Sequence, residues 1–586
     1  MKIPEGRNLY TTNKDRMFHV EEMIDWDTLG KVRSVDKGAY NEFLSTTIGE
    51  VTGKRILPRS AVTERSDYRI EDGRLVWPEE IKRSYEDLKE NGLLCTGISE
   101  EYGALGLPCI LTTMLGEMMF QADPGFATVP LLQSGVAEMI EEFGSDDLKA
   151  GYLRKMVGGE YTGCMDLTES GAGSDLGGIR AKAAEIGGRT YITGSKMFIT
   201  NGGADVHLVL ARDGDSYKET LGQTKGISLY LVPREFDGKN NNVKVTKLEE
   251  KLGLHSSPTC EVMFEENGAQ GFLLGKKGKG LKCMLKLMNN ARLGVAAQAL
   301  GILEASLADA KEYASGRRQF GKEILDYGLV KDMLKDMQLY SEVIRSVIYS
   351  AAFANDMEKG LRKTGCDGED LKRYSNMAAV LVPLIKYYAA EKAIELTRKG
   401  IQVHGGVGYT KEFNAEKHLR DAVITSIYEG TSEIQVSLFI KEALTGKLMG
   451  QSRANLVPFL EEIDRGLEQI TEEQLAKDVK KVKEANSYVK ESLDTLAGYI
   501  VQTLEKNPPY GDTNGVSSQA KKLADMTVEV YGAYSLLEQA RKSDYKKTVA
   551  KVFIQDMLPR AEMRSKQIKN LAEGTLKDYD TIIGAV

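Results

Sequence analysis

The sequence predicts a mainly α-helical protein with a β-domain inserted in the chain. Three observations carry this expectation. Apolar residues recur three and four apart before about Gly144 and again after Leu281, the spacing of one helix face. Between about Gly163 and Gly280 the pattern changes to short β-branched runs separated by Gly, Asp and Asn turns. The chain has 586 residues, more than one ordinary domain, so several units on a large common core are expected.

Composition narrows the class. Hydrophobic residues make up 42% and charged residues 28%, as in soluble globular proteins. The net charge of −7 argues against a nucleic-acid-binding surface spread over the whole molecule and leaves a local basic patch open. Met1 to Gly6 contain no apolar run, so no secretory signal is expected. No segment approaches ~20 uninterrupted apolar residues, so no membrane span is expected. Cys95, Cys109, Cys164, Cys260, Cys283 and Cys366 are scattered without a C-x-x-C pair. They read as reduced core residues, and the expected location is cytoplasmic.

In chain order, residues 1–35 are irregular and polar, with Phe18 and Trp26 as anchors, and read as an arm on a larger body. Residues 36–162 read as an N-terminal helical domain. Helical spacing shows in Glu79, Ile81 and Leu88 and again in Leu111, Leu115, Met118 and Phe120, with breaks at Glu101 to Pro108 and at Asp123 to Gly125. Residues 163–280 form the β-domain, with strands over Thr190–Gly194, Val206–Ala211 and Ile227–Val232. Such runs at short spacing suggest an antiparallel sandwich or barrel. Residues 281–450 form a second helical domain. One helix is expected over Arg292–Ala314 with Gly316 as its cap, another over Ala379–Gly400, and an exposed hairpin over Glu358–Asp370. Residues 451–586 are a C-terminal helical extension, interrupted at Asn507 to Asp512, with no chemical motif of its own.

Five stretches carry chemistry. In Leu167 to Asp175, Gly171 and Gly173 let backbone N–H groups approach an anionic or aromatic ligand, and Thr168 and Ser174 add hydroxyls. The competing reading is an ordinary turn entering the β-domain. The stretch is neither a triphosphate-binding loop nor a Rossmann fingerprint. In Lys196 to Gly203, Phe198 precedes Ile199, Thr200 and a turn, which suits stacking on a planar cofactor or, equally, a strand ending in a hairpin turn. Arg317 and Arg318, just after a helix, suit a pyrophosphate; a solvated charge run is the alternative. Gln402 to Gly408 is a Gly-rich turn closing a helix, and its His404 reads as structural because no second His stands at metal spacing; no metal is expected. Ile427 to Glu433 sets Glu429 beside Gly430, Thr431 and Ser432, after Arg420 and Asp421. Glu429 is either the base of a flavin site shared with the Leu167–Asp175 stretch or an acid supporting a helix dipole.

No single motif decides; their order does. From about Glu79 to Met449 the chain resembles the acyl-CoA dehydrogenase flavoproteins, through Thr168 to Asp175, Phe198 to Gly202, Arg317 to Gly321, Gln402 to Gly406 and Tyr428 to Ser432. The arm and extension look like the larger subgroup, which includes enzymes similar to methylmercaptopropionyl-CoA dehydrogenase. The resemblance implies a helical, β-barrel, helical architecture plus the extension, with FAD as cofactor and an acyl-CoA as substrate. It places flavin contacts on Leu167, Thr168 and Ser174, and on Phe198, Ile199 and Thr200 beside the ring. Arg317, Gln402 and Gly406, with Gly405 beside them, correspond to contacts with a neighbouring subunit's FAD, and Thr431 and Glu433 to further FAD contacts. Ser174, Asn289, Arg292 and Gly430 fall where the family touches the acyl-CoA.

The family places its catalytic glutamate at the position of Glu429 or just before Arg292, and Ala291 fills the second position here. Glu429 is therefore the expected base. Phe198 stands for the more usual tryptophan, Ser170 for proline and Gly328 for glutamine. The implied reaction is α,β-dehydrogenation. Glu429 takes the α-proton, the β-hydride goes to flavin N5, and the electrons pass to an electron-transfer flavoprotein. The Glu429 N–H and a flavin ribityl hydroxyl would stabilise charge on the thioester oxygen. An acyl-CoA oxidase using O2 is the enzyme alternative. A flavin-containing DNA-binding protein of the same fold is the other, but the extension mixes Glu461, Glu462, Asp578 and Asp580 with Lys480 and Lys481 instead of clustering bases, so no nucleic-acid partner is expected. A homodimer is expected, its extension covering the surface that smaller relatives use to form tetramers.

Overall fold

The computed structural model describes residues 2–506, 513–570 and 584. The break expected at Asn507–Asp512 and the acidic pair Asp578 and Asp580 lie outside these residues. The chain forms two compact units. The first comprises Met1–Lys14, Asp36–Arg318 and Gly400–Thr425; the second comprises Asp15–Val35, Gln319–Lys399 and Ser426–Val586.

The first unit holds the β-domain and the helices that cover it. The stretch expected to be wholly helical also contains a hairpin, β1 (Arg69–Glu71) and β2 (Arg74–Val76), turned by Asp72 and Gly73 at φ 50° and 74°. An Asp-Gly pair at positive φ is the two-residue hairpin turn that matches strand twist.

The β-domain is built from β3 (Gly163–Asp166), β4 (Lys182–Ile186), β5 (Arg189–Thr200), β6 (Val206–Asp213), β7 (Ile227–Pro233), the small hairpin β8 (Glu235–Phe236) and β9 (Lys239–Asn240), β10 (Val243–Leu248) and β11 (Thr259–Leu274). The main sheet runs β10-β11-β5-β4-β6-β3, and β7 pairs with both β6 and β11, closing the path into a barrel. The expectation of purely antiparallel pairing is corrected: β3 and β4 each pair parallel with β6.

Both faces of the central strands are covered. Leu208 and Leu210 of β6 and Leu229 and Leu231 of β7 pack with Val136, Leu153, Met156 and Leu287 from helices. Their alternates Val209, Ala211, Tyr230 and Val232 fill the barrel with Ile192, Val262 and Phe264. Side chains alternate across a strand, so two buried faces yield a continuous apolar run rather than an alternating one.

The helix Gly280–Gly316 begins well before the expected Arg292 and ends without a left-handed glycine; Arg317 caps it in extended backbone, φ −85° and ψ 124°. By length and composition it is apolar enough to cross a membrane, but most of its apolar window is buried. It packs on helices Cys109–Ala122, Thr128–Phe143 and Ala415–Val423 as the core helix of the unit. A Cβ at Gly301 would come within 2.7 Å of Gln121 N and Glu117 O, so glycine permits this close helix crossing.

The second unit is helical. Helix Thr513–Ala540 of the extension packs on Gly328–Lys363, Ser432–Met449, Ala476–Lys506 and Asp544–Lys569. Polar contacts fix that packing. Tyr388 Oη donates to Glu529 Oε1 at 3.1 Å, while Arg560 and Arg564 reach Glu529 Oε2 at 3.1 and 3.0 Å. Lys546, buried, meets Asp15 and lies 2.7 Å from Glu342 Oε2, and Arg345 Nη1 lies 2.5 Å from Asp15 Oδ2. Removing one partner of a buried ion cluster strands the others in a poorly solvating interior. Lys546→Ala should therefore lower unfolding free energy by about 3–5 kcal/mol, read as a fall in the urea midpoint.

Candidate active site

Strand β5 carries the first part of the site. Ile199 pairs with Cys260 and Lys196 with Val262, so Met197 and Phe198 together oppose one partner residue: a β-bulge. Bulges re-aim side chains. Phe198 adopts φ 61° and is 58% exposed, whereas Ile199 is buried and Thr200 half-buried. Asn201, at φ 53°, then donates its N–H to Pro258 O at 2.7 Å, ending the strand.

The Leu167–Asp175 stretch lies alongside. Met197 N donates to Thr168 O at 2.9 Å, and Glu169 and Ala172 exchange backbone hydrogen bonds of 3.1 and 3.0 Å. Leu167 is buried, Thr168 half-buried and Ser174 exposed. A Cβ at Gly171 or Gly173 would meet no atom within 4 Å, so these glycines relieve no crowding inside the chain. Open backbone, two hydroxyls and an exposed ring fit a planar cofactor bearing phosphates and hydroxyls. The structure thus sets Leu167 and Thr168 beside the strand that carries Phe198, Ile199 and Thr200, with Ser174 exposed further along the same loop.

The same unit holds Arg292, buried on the helix Gly280–Gly316 beside the half-buried Ala291. The side chain of Asn289 lies outside the described residues. Arg317, Gln402, Gly405 and Gly406 are all exposed. The helix end before Arg317 and the Gln402–Gly406 turn meet where the Tyr313 and His404 rings stack at 4.5 Å. His404 Nδ1 lies 2.8 Å from Gly400 O, and burial pushes its pKa down, in keeping with a structural role. A cavity of about 430 Å³ lined by Arg7, Asp309, Tyr313, Arg317, His404, Asn414 and His418 also belongs to this unit, and none of the Leu167–Ser174 or Phe198–Thr200 residues line it.

Upstream of Glu429 the segment Ala415–Val423 is anchored by buried charge. Asp421 Oδ1 accepts the Leu254 N–H at 2.7 Å, and Lys417 lies against Asp421 and Glu64. Burial pushes the Asp421 carboxyl up, but Lys417 and the Leu254 N–H outweigh it and hold the carboxyl below its ordinary value.

In the second unit Glu429 adopts φ 55° and Gly430 φ 89°. Gln435 Nε2 donates to the carbonyls of Glu429 and Gly430 at 3.1 and 3.3 Å, and the buried Lys386 Nζ donates to Gly430 O at 2.6 Å. Thr431 caps the helix Ser432–Met449, its hydroxyl accepting from Ile434 N at 3.3 Å. Ser432 Oγ donates to Glu391 Oε1 at 2.6 Å. Glu433 is largely exposed, 3.9 Å from Lys521 of the extension. Glu429, Gly430 and Thr431 thus form one turn braced by Gln435 and Lys386, and Glu433 stands in the first turn of the helix that follows.

Sequence reasoning missed two clusters of interior polar side chains. Lys196 and Glu169 form an ion pair of 2.7 Å behind the bulge. His207 Nδ1 lies 2.7 Å from Asp166 Oδ2 and 3.0 Å from Cys164 Sγ inside the barrel. Neither the scattered cysteines nor the lone His404 stands at metal spacing in the sequence, yet Cys164, Asp166 and His207 cluster closely among the described residues. A strand reading that put β3 beside β6 would have found them.

The first unit thus presents an open glycine loop and a bulge-aimed aromatic, and the second a carboxylate on a turn in left-handed backbone. Comparisons with known proteins give the family. Models described as the acyl-CoA dehydrogenase N-terminal, middle and C-terminal domains match residues 44–160, 164–267 and 278–444. The 3-methylmercaptopropionyl-CoA dehydrogenase of Ruegeria pomeroyi is 33% identical over 453 residues, 72% of this chain and 74% of that one. The caffeyl-CoA reductase-Etf complex subunit CarC of Acetobacterium woodii is 34% identical over 307 residues, 52% of this chain and 72% of that one. In fold, an acyl-CoA dehydrogenase complexed with FAD from Bacillus anthracis superposes with TM-score 0.76 at 22% identity, over 97% of this chain and 94% of that one. The chain belongs to the acyl-CoA dehydrogenase family, and it is an FAD-dependent oxidoreductase.

Proposed function

We propose that the protein oxidises an acyl-CoA thioester to the 2-enoyl-CoA, with Glu429 as the base that removes the α-proton. The observation that carries this is the backbone at Glu429. A non-glycine residue in left-handed conformation costs about 1–3 kcal/mol and persists only where its surroundings over-determine it. Here Gln435 and Lys386 grip the carbonyls on either side of Gly430, which fixes the direction of the Glu429 side chain. The rival position in the family holds Ala291, which cannot take a proton.

The α-proton is far too weak an acid for a carboxylate in water. Two effects close the gap. A backbone N–H at Glu429 stabilises negative charge developing on the thioester oxygen, and one such donor is commonly worth ~10²–10³ in rate. Closure around a neutral acyl chain desolvates the carboxylate and strengthens it as a base. Bound FAD supplies the hydride acceptor. In this reading Leu167, Thr168, Ser174, Phe198, Ile199 and Thr200 hold it, and Arg292 with Ser174 orients the acyl-CoA.

Glu429→Gln should bind FAD and acyl-CoA with near-normal affinity yet fail to bleach the flavin anaerobically. Flavin reduction at the wild-type rate would sink the assignment.

The electron acceptor in this reading is an electron-transfer flavoprotein, supported by the Etf complex that the Acetobacterium woodii relative's name records. Turnover with that acceptor should exceed turnover with O2; the reverse result would make the protein an oxidase. We further propose a cytoplasmic homodimer. Six free thiols suit a reducing compartment. The exposed Arg317, Gln402, Gly405 and Gly406 and the 94% exposed Phe320 suit contact with a second copy's FAD. Light scattering at micromolar concentration should give twice the chain mass of 64.7 kDa, and a monomer would count against the dimer.

A further inference from the structure

Lys196 is an anomaly by its position. It faces the interior on β5, two residues before Phe198, and its ammonium is fully buried. A strand position of this kind is ordinarily apolar, because sealing an ammonium from water carries a heavy desolvation cost. Burial indeed pushes the Lys196 pKa down, against the pull of Glu169.

Its contacts explain why the lysine is worth that cost. Lys196 Nζ donates to Leu167 O at 2.9 Å and to Glu169 Oε1 at 2.7 Å. Glu169 in turn accepts the Arg180 N–H at 2.6 Å and the Ala181 N–H at 3.0 Å. One ion pair therefore ties the start of the glycine loop, at Leu167, and the segment that leads from it into β4, at Arg180 and Ala181, to the strand that carries the bulge. The backbone bond from Met197 N to Thr168 O lies between the two. With the pair in place, the distance from the Leu167–Thr168 backbone to the Phe198 ring is fixed from below, behind the bulge.

We propose that Lys196, acting through Leu167 O and Glu169, is a positioning residue for FAD: it sets the spacing between the Leu167–Ser174 loop and the Phe198–Thr200 bulge. The proposal rests on the reading that these two segments hold FAD, so the experiment includes a variant that tests that reading alone.

Apoprotein is prepared for wild type, Phe198→Ala, Lys196→Met, Glu169→Gln and the double variant Lys196→Met/Glu169→Leu. FAD Kd is measured by fluorescence titration, and Tm with and without FAD by calorimetry. Phe198→Ala should raise Kd at least tenfold; a value within twofold of wild type overturns the assignment of the cofactor site itself. Lys196→Met should raise Kd at least tenfold and shrink the FAD-dependent rise in Tm, which reports binding to the folded state. A variant with lower apoprotein Tm but Kd within twofold and the full FAD-dependent rise makes the lysine merely structural and overturns the proposal.

The double variant separates the roles further. Replacing a buried ion pair by apolar side chains commonly restores stability, so its apoprotein Tm should recover while Kd stays raised. Recovery of Kd together with Tm overturns the proposal. If Lys196→Met does not fold, Glu169→Gln carries the decision, since it keeps an acceptor for Lys196 while removing the charge. A rise in Kd of at least threefold supports positioning, and binding within twofold overturns it.

Discussion

Backbone that L-residues rarely adopt is the constraint on which this structure turns. Among the described residues, nine non-glycine positions have positive φ, and Phe198, Asn201, Phe320 and Glu429 fall in motifs that the sequence marks for chemistry. Each such residue costs about 1–3 kcal/mol, so it survives only where neighbours leave no alternative. At Phe198 the neighbours are the bulge against β11 and the loop beneath it. At Glu429 they are Gln435 and Lys386, which hold the carbonyls of the turn. The strain is useful because it removes freedom: a side chain on such a turn has one direction, and a base or a stacking ring needs one direction.

Holding strained backbone requires rigid surroundings, and the chain supplies them with buried charge as well as apolar packing. Interior lysines join segments distant in sequence. Lys196 joins β5 to the glycine loop, Lys417 joins the helix Ala415–Val423 to Glu64, and Lys546 joins the helix Asp544–Lys569 to Glu342 and Asp15. Buried ion pairs are poor sources of stability, since desolvation offsets most of the attraction. Their geometric demand is what they contribute. An apolar contact tolerates a slip of an ångström; an ammonium between a carboxylate and a carbonyl does not.

This explains how much was legible in the sequence. The helix, β-domain, helix order shows in periodicity because one-sided helices and buried strands leave different spacings. The Gly171–Ser174 loop and the Tyr428–Ser432 turn stand out through their order along the chain with the other motifs, since each alone also reads as an ordinary turn. The bulge did not show, since nothing in Lys196-Met197-Phe198 distinguishes a bulge from a regular strand until Cys260 and Val262 are paired against it. The Cys164, Asp166 and His207 cluster was hidden for the same reason, being made by the parallel pairing of β3 with β6. The β1–β2 hairpin was legible, in Asp72-Gly73, and was masked by the helical spacing around it.

The extension is where local reading reaches least far. It carries no motif, yet its helix Thr513–Ala540 buries Leu523, Thr527, Val530 and Leu537 in the core of the second unit. Lys521 on that helix lies 3.9 Å from Glu391 and from Glu433, and Glu391 holds the buried Ser432, one residue beyond the Thr431 cap. Half-exposed pairs at that distance contribute little on their own. The packing contributes much more, because the helix Ser432–Met449 has the extension as one of its walls. A helix whose N-terminus anchors a strained turn must not shift along its axis, and a wall made of buried side chains prevents that shift. In the second unit the extension therefore serves as part of the frame that holds Glu429, rather than as a tail appended to it.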